Sequence, residues 1–295
     1  ELRASAAFGD TGGILQVQAD GSVVDHLVIH GNKAGRQGTP SAVQCSQYNN
    51  AYGHNMRMTC NGCTLSNSVT RDALCGTGCE VAGAGSGVTV TRNTIANNGV
   101  HDAEGMWADG LTVHEYADST FTHNQIFDNT DVDLIFGACV NCMIQDNTIW
   151  HADAFSQSSF AAMMIHTWPG QSGDYTGADV SGNTIDCGSS KRCGFGLLLG
   201  SDAWYVTDVH GGSVHHNTVR NAQQGVLIDD VHDMAVYDNP VEQNGWITQA
   251  SCGARTTTSY SVGSRTYNLD TSQDTLGTTY HQQDWDGCIP NWWDQ

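Results

Sequence analysis

A short phrase built around asparagine recurs seven times along this chain of 295 residues. In each copy the Asn is followed by one variable residue and then by Ile or Val, and successive asparagines are 22 to 36 residues apart. Repetition at this period predicts a solenoid in which each repeat forms one coil. The asparagines of the seven phrases are Asn67, Asn93, Asn124, Asn147, Asn183, Asn217 and Asn239.

The residues around each phrase indicate that the coils consist of strands. An apolar residue lies three places before the Asn in six of the seven copies, and Val, Ile and Thr are frequent at the periodic positions. Leucine-rich and helical repeats fit poorly because no apolar pattern with the helical period persists. Asparagine side chains that stack at successive corners satisfy the backbone groups there. The sequence therefore predicts an all-β fold, a single-stranded right-handed parallel β-helix.

The repeat also predicts how the chain is organised. An opening coil is expected over residues 13–34, and further coils are expected up to about Gly245. From Trp246 onward the aliphatic period stops, and Ser, Thr, Gly and aromatic residues prevail. We expect a β-helix over residues 1–245 and a C-terminal capping tail over residues 246–295, which folds back to cover the open edge of the sheet.

The charge of the chain limits its partners. A net charge of −20, carried by 26 Asp and 5 Glu against 11 Lys and Arg, disfavours nucleic acid because phosphate binding requires clustered basic residues. No stretch approaches the roughly 18 apolar residues of a membrane span, so no membrane partner is expected. No signal-peptide pattern begins at Glu1, which predicts a mature or trimmed product.

The abundance of aspartate bears on metal binding. Asp carboxylates and turn carbonyls are ligands of Ca²⁺, but the chain has neither an EF-type loop nor an Asp-rich nonapeptide. We therefore expect that the function requires no cofactor and no metal site, with bound Ca²⁺ as the alternative. The sequence does not determine an oligomeric state.

Eleven cysteines without a cluster motif predict disulfides, and hence a secreted or extracellular location. The number is odd, so one cysteine is expected to be free or to pair between chains. The spacing from Cys60 to Cys79 is compatible with a zinc ribbon, but disulfides within or between neighbouring coils are the better interpretation. Three local pairs are expected, which are Cys139 with Cys142, Cys187 with Cys193, and Cys252 with Cys288.

A second set of strands precedes the Asn phrases and carries candidate catalytic residues. Strict alternation places its aliphatic residues inside the coils and directs the intervening residues outward. Because successive coils lie about 4.8 Å apart, outward carboxylates one or two coils apart fall within the range of paired catalysis. The residues expected to face outward are Thr112, His114, Asp131, Asp133, Met164, His166, Leu198, Gly200, Leu227 and Asp229.

Three connections near the middle coils combine aromatic residues with carboxylates and His, over residues 100–107, 150–155 and 168–175. Aromatic faces stack on sugar rings and carboxylates bind hydroxyl groups, so this combination predicts a carbohydrate-binding cleft. The alternative, that loop Trp residues only cover the edges of coils, stays open. The residues expected to bind substrate are Trp107, Asp109, Glu115, Trp150, Trp168, Asp202, Trp204 and Asp229.

The middle of the chain resembles the polygalacturonase family of β-helical glycoside hydrolases. Residues 129–131 are similar to the N-T-D motif of that family, and Asp153 lies where its Asp-Asp pair is expected. Residues 194–201 are similar to its G-H-G-x-x-x-G-S motif, and residues 225–229 lie where G-I-R-I-K is expected. The resemblance implies a β-helical enzyme in which paired aspartates hydrolyse a glycosidic bond.

The departures from the family pattern bear on the substrate. Ala152 replaces one Asp of the pair, and Phe195 replaces the His. Leu227 and Asp229 stand where an Arg and a Lys would hold a galacturonate carboxylate. The resemblance therefore implies a neutral or weakly charged polysaccharide as the substrate.

Two other β-helical families resemble the same region. Residues 109–114 together with residues 132–137 are similar to the two aspartate motifs of pectin methylesterases. Residues 112–115 are similar to the D-P-H-E motif of mannuronan C5-epimerases and related lyases, without the first Asp and the Pro. That resemblance implies a His base and Ca²⁺ acting on uronate polymers. The shortage of cations disfavours it, since Lys33 and Lys191 are the only lysines.

These observations predict a secreted, carbohydrate-active enzyme that acts on a polysaccharide or oligosaccharide as an inverting glycoside hydrolase. One carboxylic acid would protonate the leaving oxygen while another activates water on the opposite face of the sugar. The alternative functions are a polysaccharide lyase or C5-epimerase, and a non-catalytic sugar-binding β-helix of the adhesin or tailspike type. The opposing interpretation of Asp131 makes it a turn residue after Asn129. The candidate catalytic residues are Asp131, Asp133 and Asp153, with His114 and His166 as supporting groups.

Overall fold

The structure is a computed structural model that describes residues 1–8, 12–39, 53–100, 106–245 and 247–288. Parts of the predicted loop and tail, residues 101–105, 246 and 289–295, lie outside the described residues. In chain order the strands are β1 (Leu2–Arg3), β2 (Leu15–Val17), β3 (Val23–Asp25), β4 (Val28–His30), β5 (Met56–Met58), β6 (Thr64–Ser66), β7 (Val69–Arg71), β8 (Gly76–Ser86), β9 (Thr89–Thr91), β10 (Thr94–Ala96), β11 (Ala108–Ala117), β12 (Thr120–Thr122), β13 (Gln125–Phe127), β14 (Val132–Val140), β15 (Met143–Gln145), β16 (Thr148–Trp150), β17 (Ser159–Ile165), β18 (Asp179–Ser181), β19 (Thr184–Asp186), β20 (Cys193–Leu199), β21 (Val209–His210), β22 (Ser213–His215), β23 (Thr218–Arg220), β24 (Gln224–Ile228), β25 (Val231–His232), β26 (Ala235–Tyr237), β27 (Val241–Glu242), β28 (Ile247–Ala250), β29 (Gly253–Thr256), β30 (Tyr260–Val262) and β31 (His281–Gln282). One short helix, α1 (Lys33–Arg36), lies between β4 and β5.

Each coil contributes strands to three long parallel sheets. A nine-stranded sheet has the order β1-β4-β7-β10-β13-β16-β19-β23-β27, and an eight-stranded sheet has the order β3-β6-β9-β12-β15-β18-β22-β26. A ten-stranded sheet has the order β2-β5-β8-β11-β14-β17-β20-β24-β30-β31 and contains the longest strands. Neighbouring strands in a sheet come from successive coils, so the predicted parallel β-helix is confirmed.

A buried column of asparagines joins successive coils at the corner between the eight-stranded and nine-stranded sheets. From Asn93 to Asn217, each side-chain amide donates to the Oδ1 of the next Asn at 2.8–3.0 Å, and the column ends at Asn239. Each amide also donates to a carbonyl of the preceding coil, as Asn124 does to Val90 at 3.0 Å. The column therefore satisfies backbone groups that the corner would otherwise leave unpaired. The predicted ladder is confirmed for six of the seven phrases.

The first phrase departs from this pattern by one residue. Asn67 has φ 47° and donates to the carboxylate of Asp25 at 2.8 Å, outside the column. Ser68 takes the column position, and its backbone N–H donates to Asn93 Oδ1 at 3.0 Å. Left-handed φ is required one residue before each column position, and Asn tolerates it better than most residues. The prediction that Asn67 belongs to the ladder is therefore wrong.

The inside of the solenoid is a continuous apolar core. The alternation predicted for the strands of the ten-stranded sheet is confirmed, because all ten aliphatic or aromatic residues expected inside are buried together. They are Leu111, Val113, Leu134, Phe136, Met163, Ile165, Leu197, Leu199, Val226 and Ile228.

A second apolar cluster covers part of the outer face of the ten-stranded sheet. We call it the outer apolar cluster. The C-terminal segment covers part of it, and strands β30 and β31 of that segment extend the sheet beyond β24. The division of the chain at residue 245 stays a prediction. The cluster consists of Val132, Ile135, Phe160, Ala161, Met164, Phe195, Leu198, Leu227, Ala250, Trp285 and Cys288, with Trp168 and Trp204 packed against it.

The cysteines form local disulfides, as predicted. Cys79 is free and buried, and it is the one free thiol among the described residues. The bond between Cys60 and Cys63 removes this pair as ligands of a zinc ribbon. Cys75 is also disulfide-bonded. The bonds that join two described cysteines are Cys60–Cys63, Cys139–Cys142, Cys187–Cys193 and Cys252–Cys288. No helix in the described part of the chain has the length and apolarity that crossing a membrane requires.

Candidate active site

The outer face of the ten-stranded sheet is polar near its N-terminal end and apolar beyond it. Arg57, Glu80 and Thr112 occupy one register on β5, β8 and β11. On β14 the same register holds Ile135, which is buried in the outer apolar cluster. The side chain of Arg57 is 41% exposed and that of His114 is 23% exposed. The polar part is therefore the part of this face that a ligand can reach.

Two aspartates from adjacent coils lie at the edge of this polar surface. Asp109 is the second residue of β11. Its Oδ1 accepts a hydrogen bond from the backbone N–H of Val132 at 3.0 Å, and its Oδ2 accepts one from the hydroxyl of Thr112 at 2.7 Å. Asp131 directly precedes β14, and both aspartates are half-buried. Burial raises the pKa of Asp109 to about 6, although both hydrogen bonds oppose the shift.

The two carboxyl groups are not equivalent. Burial, and then the negative charge of Asp109, raise the pKa of Asp131 well above its usual range. The side chain of Asp131 has no hydrogen bond to a described residue, whereas that of Asp109 accepts two. Hydrogen bonds to a carboxylate favour its ionised form, so a proton shared by the pair resides on Asp131. The environment thus separates a proton donor from an ionised carboxylate.

Glu80 joins three basic side chains beside this pair. Its Oε2 lies 2.8 Å from Arg57 Nε and 3.6 Å from His54 Nε2, and its Oε1 lies 3.1 Å from His114 Nε2. Burial opposes ionisation of Glu80, but the His114 hydrogen bond and the charges of its partners outweigh burial and lower its pKa. Glu80 is therefore an ionised acceptor in the floor of the polar surface.

Two partners fix the hydrogen bonding of His114. The amide of Gln171 is a donor, and it lies 3.1 Å from His114 Nδ1, which must accept. With Nδ1 accepting from Gln171, Nε2 is the nitrogen that donates to Glu80. The ring also stacks on Trp168 with centroids 4.7 Å apart. Both nitrogens are in use, so His114 is a positioned hydrogen-bonding group rather than a free base.

The loop that carries Trp168 is tied to β11. The N–H of Ser172 donates to Glu115 Oε1 at 2.7 Å, and Gln171 of the same loop holds His114. Gly137 makes room for the indole, since a Cβ there would lie 2.6 Å from the Trp168 ring. Trp168 is thereby fixed as a partly buried aromatic wall at the boundary between the polar surface and the outer apolar cluster.

Five of the predicted site residues come together in this region, and several contributors were missed by sequence reasoning. Those brought together are Asp109, Asp131, His114, Glu115 and Trp168, and Trp107 lies half-buried just before β11. The missed residues are His54, Arg57, Glu80, Thr112 and Gln171, of which Thr112 was expected only to face outward. Glu80 could have been predicted from the sequence, because it is an outward carboxylate one coil before Thr112.

Asp133 does not share this surface, so its predicted outward direction is wrong. Its side chain is fully buried, with Oδ1 accepting from the Asn129 amide and Oδ2 lying 2.8 Å from His151 Nε2. Asn129 in turn accepts from Asn98 at 2.7 Å, which forms a second short ladder. Burial opposes a charge on His151, but the carboxylates of Asp133 and Asp128 outweigh it and raise its pKa to about 9. Asp133 is thus half of a buried ion pair.

Asp153 and Trp150 also lie apart from the Asp109 and Asp131 pair. Asp153 is exposed and accepts the N–H and hydroxyl of Ser189, both at 2.7 Å, and these bonds lower its pKa. Trp150 belongs to β16 of the nine-stranded sheet and stacks on Phe127 with centroids 4.3 Å apart. The predicted convergence of three aspartates is therefore not observed, because Asp153 is held by Ser189 and Asp133 by His151.

His166 and Trp204 are parts of the aromatic cover of the sheet. The side chain of His166 is fully buried, with its ring edge-on to Trp168 at 4.9 Å and to Trp204 at 5.8 Å. Burial lowers the pKa of His166 to about 3, so the ring is neutral. Trp204 itself stacks on Phe160 at 4.3 Å. His166 therefore lies on the outer face, as predicted, but the aromatic residues cover it; its supporting role stays a prediction.

Asp202 and Asp229 form a separate acidic cluster beneath the C-terminal segment. Their carboxylates and that of Asp286 lie within 4.8 Å of one another, and Arg265 contacts all three. Burial and the neighbouring charges raise the pKa of Asp202 to about 9, and the N–H of Trp285 donates to Asp202 at 3.1 Å. The cluster holds the C-terminal segment against the coils, and the positive charge of Arg265 balances part of its negative charge.

Comparison with known proteins agrees with the topology. Residues 29–163 match the family model described as "Right handed beta helix region". The fold is a right-handed parallel β-helix. No curated protein matches the chain. Among solved structures, the chain is similar to the A-module of the mannuronan C-5 epimerase AlgE4 of Azotobacter vinelandii, at 13% identity and a TM-score of 0.39, with 92% of this chain and 78% of that chain covered. A likeness at this level says nothing about reaction chemistry.

Proposed function

We propose that this chain is a secreted glycoside hydrolase that cleaves a polysaccharide with Asp131 as the general acid and Asp109 as the carboxylate that activates water. The observation that carries the proposal is a pair of half-buried carboxyl groups on adjacent coils, of which only Asp109 accepts hydrogen bonds from described residues. Such a difference in environment is the arrangement that acid and base catalysis on a glycosidic bond requires.

The proton movements follow from the two environments. Asp131, held neutral by burial and by the charge of Asp109, donates its proton to the glycosidic oxygen as the bond to the anomeric carbon breaks. Ionised Asp109 accepts a proton from the water that attacks the same carbon. Each turnover leaves Asp131 ionised and Asp109 protonated, and proton exchange with solvent restores the pair.

The neighbouring side chains supply a surface for an uncharged sugar. Trp168 offers an aromatic wall on which a sugar ring can stack. Arg57 lies 2.8 Å from Glu80, so among the described residues of this surface its charge is already paired with a carboxylate. These features favour a neutral polymer over a polyuronate.

One observation favours a uronate lyase or epimerase as the second candidate. Arg57 is 41% exposed and lies in register with Glu80 and Thr112, where it could neutralise a uronate carboxylate near His114. The same geometry opposes the idea, because Gln171 occupies Nδ1 of His114 and the Nε2 proton faces Glu80. A base that must take the C5 proton requires a free nitrogen.

The proposal is tested by incubating the protein with a panel of neutral and acidic polysaccharides. Reducing ends without absorbance near 235 nm indicate hydrolysis, absorbance near 235 nm indicates a lyase, and binding without either indicates a sugar-binding protein. Asp131→Asn and Asp109→Asn should each lower turnover by about 10³-fold. Asp153→Asn is the matched control, because this exposed aspartate should leave turnover unchanged. Full activity in both pair variants would falsify the assignment.

A further inference from the structure

Two histidines on adjacent coils stack in register at the carboxyl side of the ten-stranded sheet. His210 of β21 pairs with His232 of β25, and their rings are 5.1 Å apart with an interplanar angle of 12°. The coil spacing of about 4.8 Å explains the distance between the rings. Neither residue takes part in the proposed hydrolysis.

An aspartate completes a set of three potential metal ligands. Asp208 Oδ1 lies 2.6 Å from His232 Nε2, and Asp208 Oδ2 lies 3.9 Å from His210 Nδ1. One ligand atom from each of the three residues lies within 4.8 Å of the others. The side chain of Asp208 is 69% exposed, so it is free to rotate toward a common ion, and solvent can supply a fourth ligand.

The remaining ring nitrogens face carboxylates on the side away from Asp208. Asp233 Oδ2 lies 2.7 Å from His232 Nδ1, and Asp174 Oδ1 lies 3.8 Å from His210 Nε2. Metal-binding histidines commonly present their second nitrogen to a carboxylate, which fixes the tautomer and leaves the first nitrogen unprotonated for the metal. Each histidine thus has a carboxylate beside its second nitrogen, and the one beside His232 is within hydrogen-bond distance.

An ion pair alone accounts for His232 but not for His210. Two carboxylates flank His232, as they would flank a protonated ring. His210 Nδ1, by contrast, is buried and has no hydrogen-bond partner among the described residues. A buried nitrogen without a partner is costly, and a bound cation would satisfy it.

We propose that Asp208, His210 and His232 bind a zinc ion, with the fourth position open to water. Two imidazoles and one carboxylate suit zinc, whereas Ca²⁺ and Mg²⁺ prefer oxygen ligands alone. The site does not depend on the proposed hydrolysis.

The test is a titration of the full chain, stripped of metal by chelator, with ZnCl₂ in a calorimeter. Wild type should bind one more equivalent of zinc than Asp208→Asn, and His210→Gln and His232→Gln should lose the same equivalent. Asp233→Asn, which changes only the outer carboxylate, should weaken binding by about 10-fold to 100-fold. Exposed His281 supplies the matched control, since His281→Gln should bind zinc as wild type does.

The variants are compared by circular dichroism and thermal unfolding without metal, so that a folding defect is recognised. Asp208→Asn replaces an exposed carboxylate by an amide of the same size and should fold normally. Zinc should raise the melting temperature of wild type and of Asp109→Asn, but not that of Asp208→Asn. Equal zinc stoichiometry in wild type and in folded Asp208→Asn would overturn the proposal and leave an ion pair only.

Discussion

Burial raises the pKa of Asp131, and the negative charge of Asp109 on the preceding coil raises it further. The two residues are linked through the backbone as well, because Asp109 accepts the N–H of Val132, which follows Asp131. A change in the hydrogen bonding of one carboxyl group is therefore expected to alter the titration of both.

The proposed acid and base predict a bell-shaped pH dependence of kcat/KM. The acid limb should follow ionisation of Asp109 at about pH 6, and the alkaline limb should follow loss of the Asp131 proton. The Thr112 hydroxyl bond lowers the pKa of Asp109, so Thr112→Val should move the acid limb to higher pH. Rate measurements from pH 4 to 9 check this. Thr122→Val, in the eight-stranded sheet, is the control and should leave the profile unchanged.

The buried ion pair of Asp133 and His151 predicts that stability depends on pH. The pKa of His151 rises from 6.5 in the unfolded chain to about 9 in the folded protein, so its contribution is full below pH 6.5 and disappears as pH rises through 9. We expect the free energy of unfolding to fall by about 3 kcal/mol between pH 6 and 10. Urea unfolding across this range measures it.

Asp133→Asn provides the comparison for this pH dependence. The variant should be destabilised near neutral pH by about 3–5 kcal/mol, because it leaves a buried histidine without its carboxylate. Its stability should then vary much less with pH above 6.5. Asp153→Asn is exposed and should retain the wild-type slope; an unchanged slope in Asp133→Asn would contradict the role given to this pair.

Removal of Trp285 should uncover the outer face of the ten-stranded sheet. This side chain is fully buried in the outer apolar cluster, edge-on to Phe195 at 5.3 Å. Trp285→Ala should lower the free energy of unfolding by about 3–5 kcal/mol. Val206→Ala, at a residue 71% exposed, should change it by less than about 0.5 kcal/mol. Chemical denaturation checks both values, and similar losses in the two variants would argue against the covering role.

The asparagine column predicts a large difference between two asparagines of the repeat. Asn147→Ala removes an amide that donates to Asn183 and to the Phe121 carbonyl, and it leaves the backbone N–H of Asn124 without an acceptor. A loss of about 3 kcal/mol is expected. Asn67→Gly keeps the left-handed backbone outside the column and should cost little. Denaturant unfolding compares them, and equal stability would refute the column as the main corner contact.

Much of the fold was predictable because one physical demand repeats in every coil. The backbone groups at each corner need hydrogen-bond partners, and an Asn at the same position of each coil supplies them. The spacing of asparagines such as Asn93 and Asn124 therefore shows the period in the sequence. Alternation likewise predicted that Leu111 and Phe136 lie inside. Asn67 was misplaced because the left-handed residue and the column residue are adjacent, and Asn suits both positions.

The candidate site was only partly predictable, since a side chain changes face when the register moves by one residue. Alternation predicted that Asp131 and Asp133 both point outward. The side chain of Asp133 is instead buried, where it joins the ladder that begins at Asn98. Glu80 reaches His114 through the pairing of β8 with β11, a relationship between residues 34 positions apart.

The sequence by itself determined the coil, because a period and an inside-outside alternation are local properties of the chain. The tertiary structure alone decided which outward residues are open to a ligand. Trp285 lies 83 residues from Asp202, to which its N–H donates, and it seals the apolar part of the outer face while Asp109 and Asp131 stay half-buried. Burial depends on which distant segment covers a surface, and burial is what shifts the pKa of these carboxyl groups.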